Sequence, residues 1–368
     1  MKKKTLLQSA FLFATVTVAI TACRKENVSA QNELKPRQDV FAVNYNQVPS
    51  NGVVGSIFTP KVLNNDVAGL GRVLFYDTRL SLSGTTACAS CHKQELGFAD
   101  NVAFSAGFKM AGTSMNAMAL SNIENDFVLF WQNRASSLEE LSLMPVANHL
   151  EMGFVQVEDV VTRLKSIPYY QEQFARIFGQ NITQNNISSA LSEFMRSLRS
   201  LNSKYDKGFK GHAREKFNNF TEQENLGKEL FFNKYNCGGC HGVPSVLENG
   251  WSENFTNIGL DGPSKEDPQG NKGFFKAPSL RNIAMSAPYM HDGRFTSLEE
   301  VIDHYSSGIQ MNPSLSWMLQ DFDFTTGKSS PKKFNIPDQE KEALIAFLHT
   351  LSDHSYARDK RFSNPFLP

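Results

Sequence analysis

Two short stretches, Cys88-Ala89-Ser90-Cys91-His92 and Cys237-Gly238-Gly239-Cys240-His241, decide how this chain reads. Each is C-x-x-C-H, the attachment motif of a c-type haem. The spacing has a chemical reason. Two thiols three residues apart can each add across one porphyrin vinyl group, and the adjacent imidazole then turns onto the iron from the same face. Covalent attachment holds the cofactor in a fold too small to enclose it otherwise. A structural zinc wants four ligands closed by neighbouring pairs, whereas these pairs lie far apart and each has its own histidine. A thioredoxin-like site wants a βαβ context and no fixed histidine. Two haem c groups are expected, with His92 and His241 as proximal ligands.

The residues around the motifs repeat as well. Leu70-Gly71-Arg72-Val73-Leu74-Phe75-Tyr76 precedes the first, and Leu226-Gly227-Lys228-Glu229-Leu230-Phe231-Phe232 precedes the second. Both present an i, i+4 apolar face suited to a helix, and Thr221 with Glu224 forms a capping-box start for the second. Each half closes in another amphipathic stretch: Ile187, Leu191, Phe194 and Leu198 in one, Leu344, Phe347, Leu348 and Leu351 after Pro337 in the other. Strand signals are weak. The expected fold is mainly α, with two tandem cytochrome c-like domains at 57–210 and 211–357 and a C-terminal tail at 358–368. Their boundary is expected in the polar stretch 203–219.

The chain has 368 residues, with 37 basic and 37 acidic side chains. That balance lacks the positive excess of a nucleic-acid binder, and no nucleic-acid partner is expected. At 40% hydrophobic and 20% charged residues, general disorder is excluded too. Lys2, Lys3 and Lys4, then an apolar run from Leu6 to Ile20 broken by Gln8 and Ser9, make residues 1–22 an export signal. Ile20-Thr21-Ala22-Cys23 resembles a lipobox, which would make Cys23 the lipidated first residue; an ordinary secretory leader is the alternative. Removing the leader takes away three lysines and no acidic group, leaving a small negative excess. No later segment offers the ~18 apolar residues of a spanning helix. The mature protein is therefore expected on the periplasmic side, held to the cell membrane or outer membrane by a lipid anchor only. Residues 23–56 read as a flexible linker.

The stretch Phe130-Trp131-Gln132-Asn133-Arg134-Ala135-Ser136-Ser137-Leu138-Glu139, followed by Pro145 and Glu151-Met152-Gly153, resembles the bacterial di-haem cytochrome c peroxidases. So does Ala277-Pro278-Ser279-Leu280-Arg281-Asn282, followed by Pro288-Tyr289-Met290-His291-Asp292-Gly293. The same superfamily holds the MauG-type enzymes, which oxidise tryptophans on a partner protein. The likeness covers about residues 57–355. It implies that hydrogen peroxide reacts at the haem on His92 and that Glu151 is the distal acid–base group. Peroxide must lose a proton to bind ferric iron, and its far oxygen must gain one to leave as water. The resemblance also makes Trp131 an electron relay between the haems. It matches Asn116 and the backbone carbonyls of Ser286 and Pro288 to an inter-haem calcium site, an ion that takes hard oxygen ligands. Its implied partner is a small c-type cytochrome or another electron-donor protein, and it leaves room for a homodimer.

The departures from the family pattern carry information of their own. Lys109 stands where peroxidases often have a histidine that closes the first haem, and no histidine lies between His92 and His149. A five-coordinate, open first iron is expected in the oxidised protein. Leu141 replaces a glutamine that usually accompanies the distal glutamate. His149, where proline is common, is either an added proton shuttle or a surface side chain. At the second haem, Tyr305 occupies the position of the peroxidases' axial methionine, the MauG-type choice. Met311, His304 and Met290 compete with it, as does a plain core tyrosine. A thioether raises an iron potential, whereas a phenolate stabilises the ferric state and lowers it. The expected function is peroxide reduction; the alternatives are a MauG-type oxidation of a partner's aromatic residues and a non-enzymatic electron carrier.

Overall fold

A computed structural model describes residues 35–51, 59–126, 128–241, 255–262 and 273–366. The leader, Cys23 and part of the expected linker lie outside the described residues. In the first half, α1 (Asn65–Tyr76) leads to the single turn α2 (Cys88–Cys91), then α3 (Leu138–Leu143), α4 (Val157–Lys165), α5 (Pro168–Phe178) and α6 (Gln184–Ser197). The second half has α7 (Lys204–Gly208), α8 (Glu222–Glu229), α9 (Gly238–His241), α10 (Leu298–Asp303) and α11 (Asp338–His349). Two small antiparallel pairs complete it. β1 (Phe255–Asn257) faces β2 (Phe274–Lys276) with Thr256 opposite Phe275, and β3 (Gln320–Asp323) faces β4 (Lys328–Pro331) with Phe322 opposite Ser329. The mainly helical expectation holds.

The repeated Leu-Gly motif has a packing explanation. α1 starts on the Asn64 side chain, which accepts from the Asp66 and Val67 amides, and it crosses α6 at Gly71. A Cβ on Gly71 would lie 1.8 Å from the Ala190 carbonyl oxygen and 2.9 Å from Phe194 Cβ. In the second half α8 opens on the expected Thr221–Glu224 capping box and crosses α11 at Gly227. There a Cβ would lie 1.8 Å from the Ala343 oxygen and 2.9 Å from Phe347 Cβ. Only glycine permits backbones to approach so closely. Each C-x-x-C-H turn is thus hung from the same crossed helix pair.

Two large buried clusters result, beside a small third one of Ile309, Leu315 and Leu319. The first gathers Val40, Leu70, Phe75, Phe98, Leu164 and Phe194, and the second Tyr205, Phe217, Phe231, Leu298, Phe347 and Leu351. Leu201, Tyr205 and Phe209 already belong to the second cluster. The segment expected as a flexible linker is packed over residues 35–51. Val40 and Tyr45 are buried in the first cluster, and the Asn46 side chain pairs with the Leu63 backbone. The C-terminal tail likewise straps back onto the first half. Phe362 is buried against Phe98, and its carbonyl accepts from the Tyr76 hydroxyl. Both segments are polar on average, and a few well-placed apolar side chains suffice to dock them.

Candidate active site

The two cysteine turns have the same local geometry. The His92 amide closes onto the Cys88 carbonyl at 3.0 Å and the His241 amide onto that of Cys237 at 3.2 Å. His92 Nδ1 meets the Phe98 carbonyl at 3.0 Å, and His241 Nδ1 meets that of Pro278 at 2.9 Å. With Nδ1 committed to a carbonyl, Nε2 is the nitrogen left to bind a metal, the usual arrangement of a ligating histidine. Burial lowers the basicity of both rings, which keeps them neutral and able to donate a lone pair. Burial pushes the Cys88 and Cys237 thiols up to about 12.

Cys237, Cys240 and His241 open onto a cavity of about 380 Å³, whose walls also include Trp131, Tyr305 and Met290. Two thiols and a tautomer-fixed imidazole facing such a space fit a covalently held porphyrin. A bare metal centre does not fit: among the described residues no group of three or more His, Cys, Asp and Glu side chains is placed to hold one. Tyr305 sits on the π-helical turn His304–Gly308, with burial and then the Cys240 and Cys237 thiols holding its hydroxyl protonated. Of its competitors, His304 directs Nε2 at the Ile258 carbonyl, 3.2 Å away. Met311 is 40% exposed and does not line the cavity, whereas Met290 does.

Glu151 lies on a tight turn closed by Glu151 and Gly153 amides, both donating to the Asn148 carbonyl. Asn148 Nδ2 donates to Glu151 Oε1 at 2.6 Å. Burial pushes the Glu151 acid up, against the pull of the Arg134 cation and the Asn148 hydrogen bond. Its charge also acts on the Cys88 and Cys91 thiols, raising both, which places this carboxyl group beside the first haem-attachment turn. Arg134, Asn148, His149 and Glu151 line an open vestibule of about 310 Å³. His149 is exposed there, and Leu141 is buried. The Phe108 ring covers Gly153, where a Cβ would come within 2.4 Å of it. Lys109 is exposed, with its ammonium 5.2 Å from the centre of that ring.

Trp131 follows Phe130, which lines the vestibule. Its Nε1 donates to the Asn116 carbonyl at 2.9 Å, its own carbonyl accepts from the Lys276 amide at 2.8 Å, and it lines the second cavity. Asn116, Ser286 and Pro288 stand on the same wall. The Asn116 amide nitrogen is directed at the Val102 and Ala103 carbonyls, which turns its oxygen the other way. Sequence reasoning missed the roles of Asn148, Asp126 and Lys276. Asn148 could have been found as an Asx residue three places before the distal acid. It also missed Trp317, 71% exposed at the mouth of the second cavity. Its neighbour Met318 has Sδ 4.0 Å from Cys240 Sγ.

The family model described as di-haem cytochrome c peroxidase matches residues 65–214 and 221–359. The chain is 33% identical to the methylamine utilization protein MauG of Methylorubrum extorquens over 78% of this chain and 79% of that one. It is 31% identical to the cytochrome c551 peroxidase of Nitrosomonas europaea over 83% and 84%. Among solved structures, a MauG-like protein associated with microbial copper homeostasis superposes with a TM-score of 0.72 at 32% identity, covering 85% of this chain and 98% of the other. The diheme peroxidase BthA of Burkholderia thailandensis shares the fold at TM-score 0.65 and 20% identity, over 86% and 90%.

Proposed function

The chain belongs to the di-haem cytochrome c peroxidase family, and from that membership we propose that it reduces hydrogen peroxide to water with two electrons from a small c-type cytochrome or similar donor protein. The duplicated C-x-x-C-H turn carries this reading, each Nδ1 tied to a carbonyl and one turn beside the half-buried Glu151 carboxyl. Cys88, Cys91 and His92 would hold one haem c in a first cytochrome c-like domain, and Cys237, Cys240 and His241 the other in a second. When bound, the haems supply the metal-centred one-electron chemistry that the side chains lack.

The chain's own residues handle protons and placement. Peroxide enters through the Arg134–His149 vestibule. Glu151, as carboxylate, takes its proton and returns it to the oxygen that departs as water. Asn148 fixes the rotation of that carboxylate, and Arg134 favours its ionised form. Exposed Lys109 and apolar Leu141 would leave a haem held by His92 accessible to peroxide, and Tyr305 would supply a second protein ligand to the haem held by His241. Trp131, pinned at its indole and its carbonyl, is the relay between the two sites. Asn116 with the Ser286 and Pro288 carbonyls offers neutral hard oxygens suited to one calcium ion. Export through residues 1–22 and lipidation at Cys23 place the enzyme on the periplasmic side of its membrane. Among the described residues no helix is long and apolar enough to cross one.

A MauG-type reaction is the second reading, favoured by Tyr305 on the cavity wall. Titrating the diferric protein with peroxide and then adding reduced cytochrome tests both. A high-spin iron that reacts at once, followed by fast cytochrome oxidation, is the peroxidase result. Fast reaction with peroxide but sluggish cytochrome oxidation favours the MauG type. Two low-spin irons indifferent to peroxide would leave only an electron carrier.

A further inference from the structure

The cavity wall beside Trp131 carries a buried ion pair that peroxide reduction as described does not use. Lys276 ends β2, and Asp126 follows the short turn Ile123–Asn125, so one partner comes from each half of the chain. Their side chains form a salt bridge at 5% and 9% exposure, and both line the cavity that contains His241 and Tyr305. Lys276 is also the residue whose amide holds the Trp131 carbonyl. Stability alone is a poor reason for such a pair. Withdrawing both charges from water is expensive, and well-packed apolar residues at the same places often serve as well or better. Two other cations on this wall have their own carboxylates, Arg281 in Asp206 and Lys234 in Glu340.

We infer that Lys276 and Asp126 form a charge-compensated pair that holds the reduction potential of the haem on His241 between the values that either buried charge alone would impose. This rests on the reading that a haem is attached there. Within a cavity of low polarity, a full charge acts on a neighbouring iron far more strongly than it would through water. In the intact protein the ammonium and the carboxylate largely cancel. Removing one unmasks the other. The change being tuned is a single electron taken up by ferric iron to give ferrous iron, with no bond made or broken.

The test is spectroelectrochemistry of the holoprotein with soluble mediators, following the signal of the His241 haem. Lys276→Gln removes the positive member of the pair and keeps the Asp126 carboxylate, which favours the ferric state and lowers the midpoint. Asp126→Asn leaves the ammonium and raises it. Each shift is expected to reach a tenfold change in the oxidised-to-reduced ratio at fixed potential, about 59 mV for one electron. The double variant returns towards the wild-type value. A purely structural pair would give shifts of one sign or none, and that result overturns the inference. Should the single variants fail to fold, the exchange of Lys276→Asp with Asp126→Lys keeps a salt bridge but inverts its direction, so an unmoved midpoint in that protein overturns it equally. Failure of the functional reading looks different: no haem covalently bound to the Cys237–His241 peptide would remove the reading and the inference together. Unchanged midpoints with both haems attached would remove the inference alone.

Discussion

Asn122 and Asn282 occupy matching places in the two halves and converge on Ser200. Asn122 exchanges hydrogen bonds with the Ser200 backbone, Nδ2 to O at 3.1 Å and N to Oδ1 at 2.8 Å. Asn282 Nδ2 donates to the hydroxyls of Ser200 and Ser121, and its Oδ1 accepts from the Asp353 amide. Both are left-handed, at φ of 58° and 61°, and each backbone amide binds a carbonyl just past its closing helix, Leu198 or Leu351. Asn282→Ala loses three buried hydrogen bonds and puts an alanine at positive φ, so a loss of about 3 kcal/mol is expected from urea unfolding. Asn282→Gly is expected to lose less, because glycine accepts the backbone. Equal losses would remove the backbone part of the argument.

These paired asparagines also show what the sequence displays and what it hides. Leu120-Ser121-Asn122-Ile123 and Leu280-Arg281-Asn282-Ile283 are visibly alike once aligned, as are the glycines at 71 and 227, because a close helix crossing or a left-handed turn leaves few residue choices. The cysteine motifs were legible for the same reason: the chemistry dictates the spacing. Lys276 and Asp126 were not legible. They come from opposite halves, and nothing local marks a lysine that will be buried. The docking of Val40, Tyr45 and Phe362 was hidden too, since isolated apolar residues in polar segments have no period to detect. Glu151 was named by its flanking motif, but its partner Asn148 became plain only when the turn was seen.

Gly227→Ala would drive a methyl group into the Ala343 carbonyl, at 1.8 Å, where neither helix backbone can yield cheaply. The expected cost is about 3 kcal/mol, at the upper end of overpacking, with Gly71→Ala similar. Gly179→Ala is the control. It has φ of +65° but nothing within 4 Å, so backbone strain alone should cost about 1–2 kcal/mol. Denaturant midpoints of the three variants compare the two effects directly.

Glu151 must be ionised to take a proton from peroxide, so the rate should rise with pH through its titration. Burial raises that titration above the ordinary glutamate value, and the Arg134 charge and Asn148 hydrogen bond pull it back. Asn148→Ala removes one of the opposing effects, and the acid limb of kcat/KM is expected to move to higher pH. Arg134→Gln should move it the same way. The stability linkage has a definite sign: a carboxyl raised in the folded state adds stability below its unfolded value and loses it as pH rises through the folded one. Glu151→Gln is expected to cut peroxide turnover about a hundredfold or more, with the spectra of both haems unchanged. A lowered rate whose pH profile stays fixed in Asn148→Ala would separate Asn148 from the proton transfer.

Tyr305 lines the second cavity together with His241, on a π-helical turn where His304 keeps its contact with the Ile258 carbonyl. As a free side chain, its hydroxyl is held protonated by burial. Ligation to ferric iron would reverse that, because the metal charge outweighs the desolvation of a phenolate. Tyr305→Phe should therefore convert the low-spin signal of this haem to high-spin and open it to cyanide or imidazole. Tyr305→Met keeps a ligand but exchanges phenolate for thioether, so the low-spin signal should survive while the midpoint rises. The two variants test different properties of one atom, the presence of a sixth ligand and its charge. If Tyr305→Phe retained a low-spin iron, the axial role would pass to Met290, which shares the cavity wall, and Met290→Leu would then have to produce the high-spin state instead.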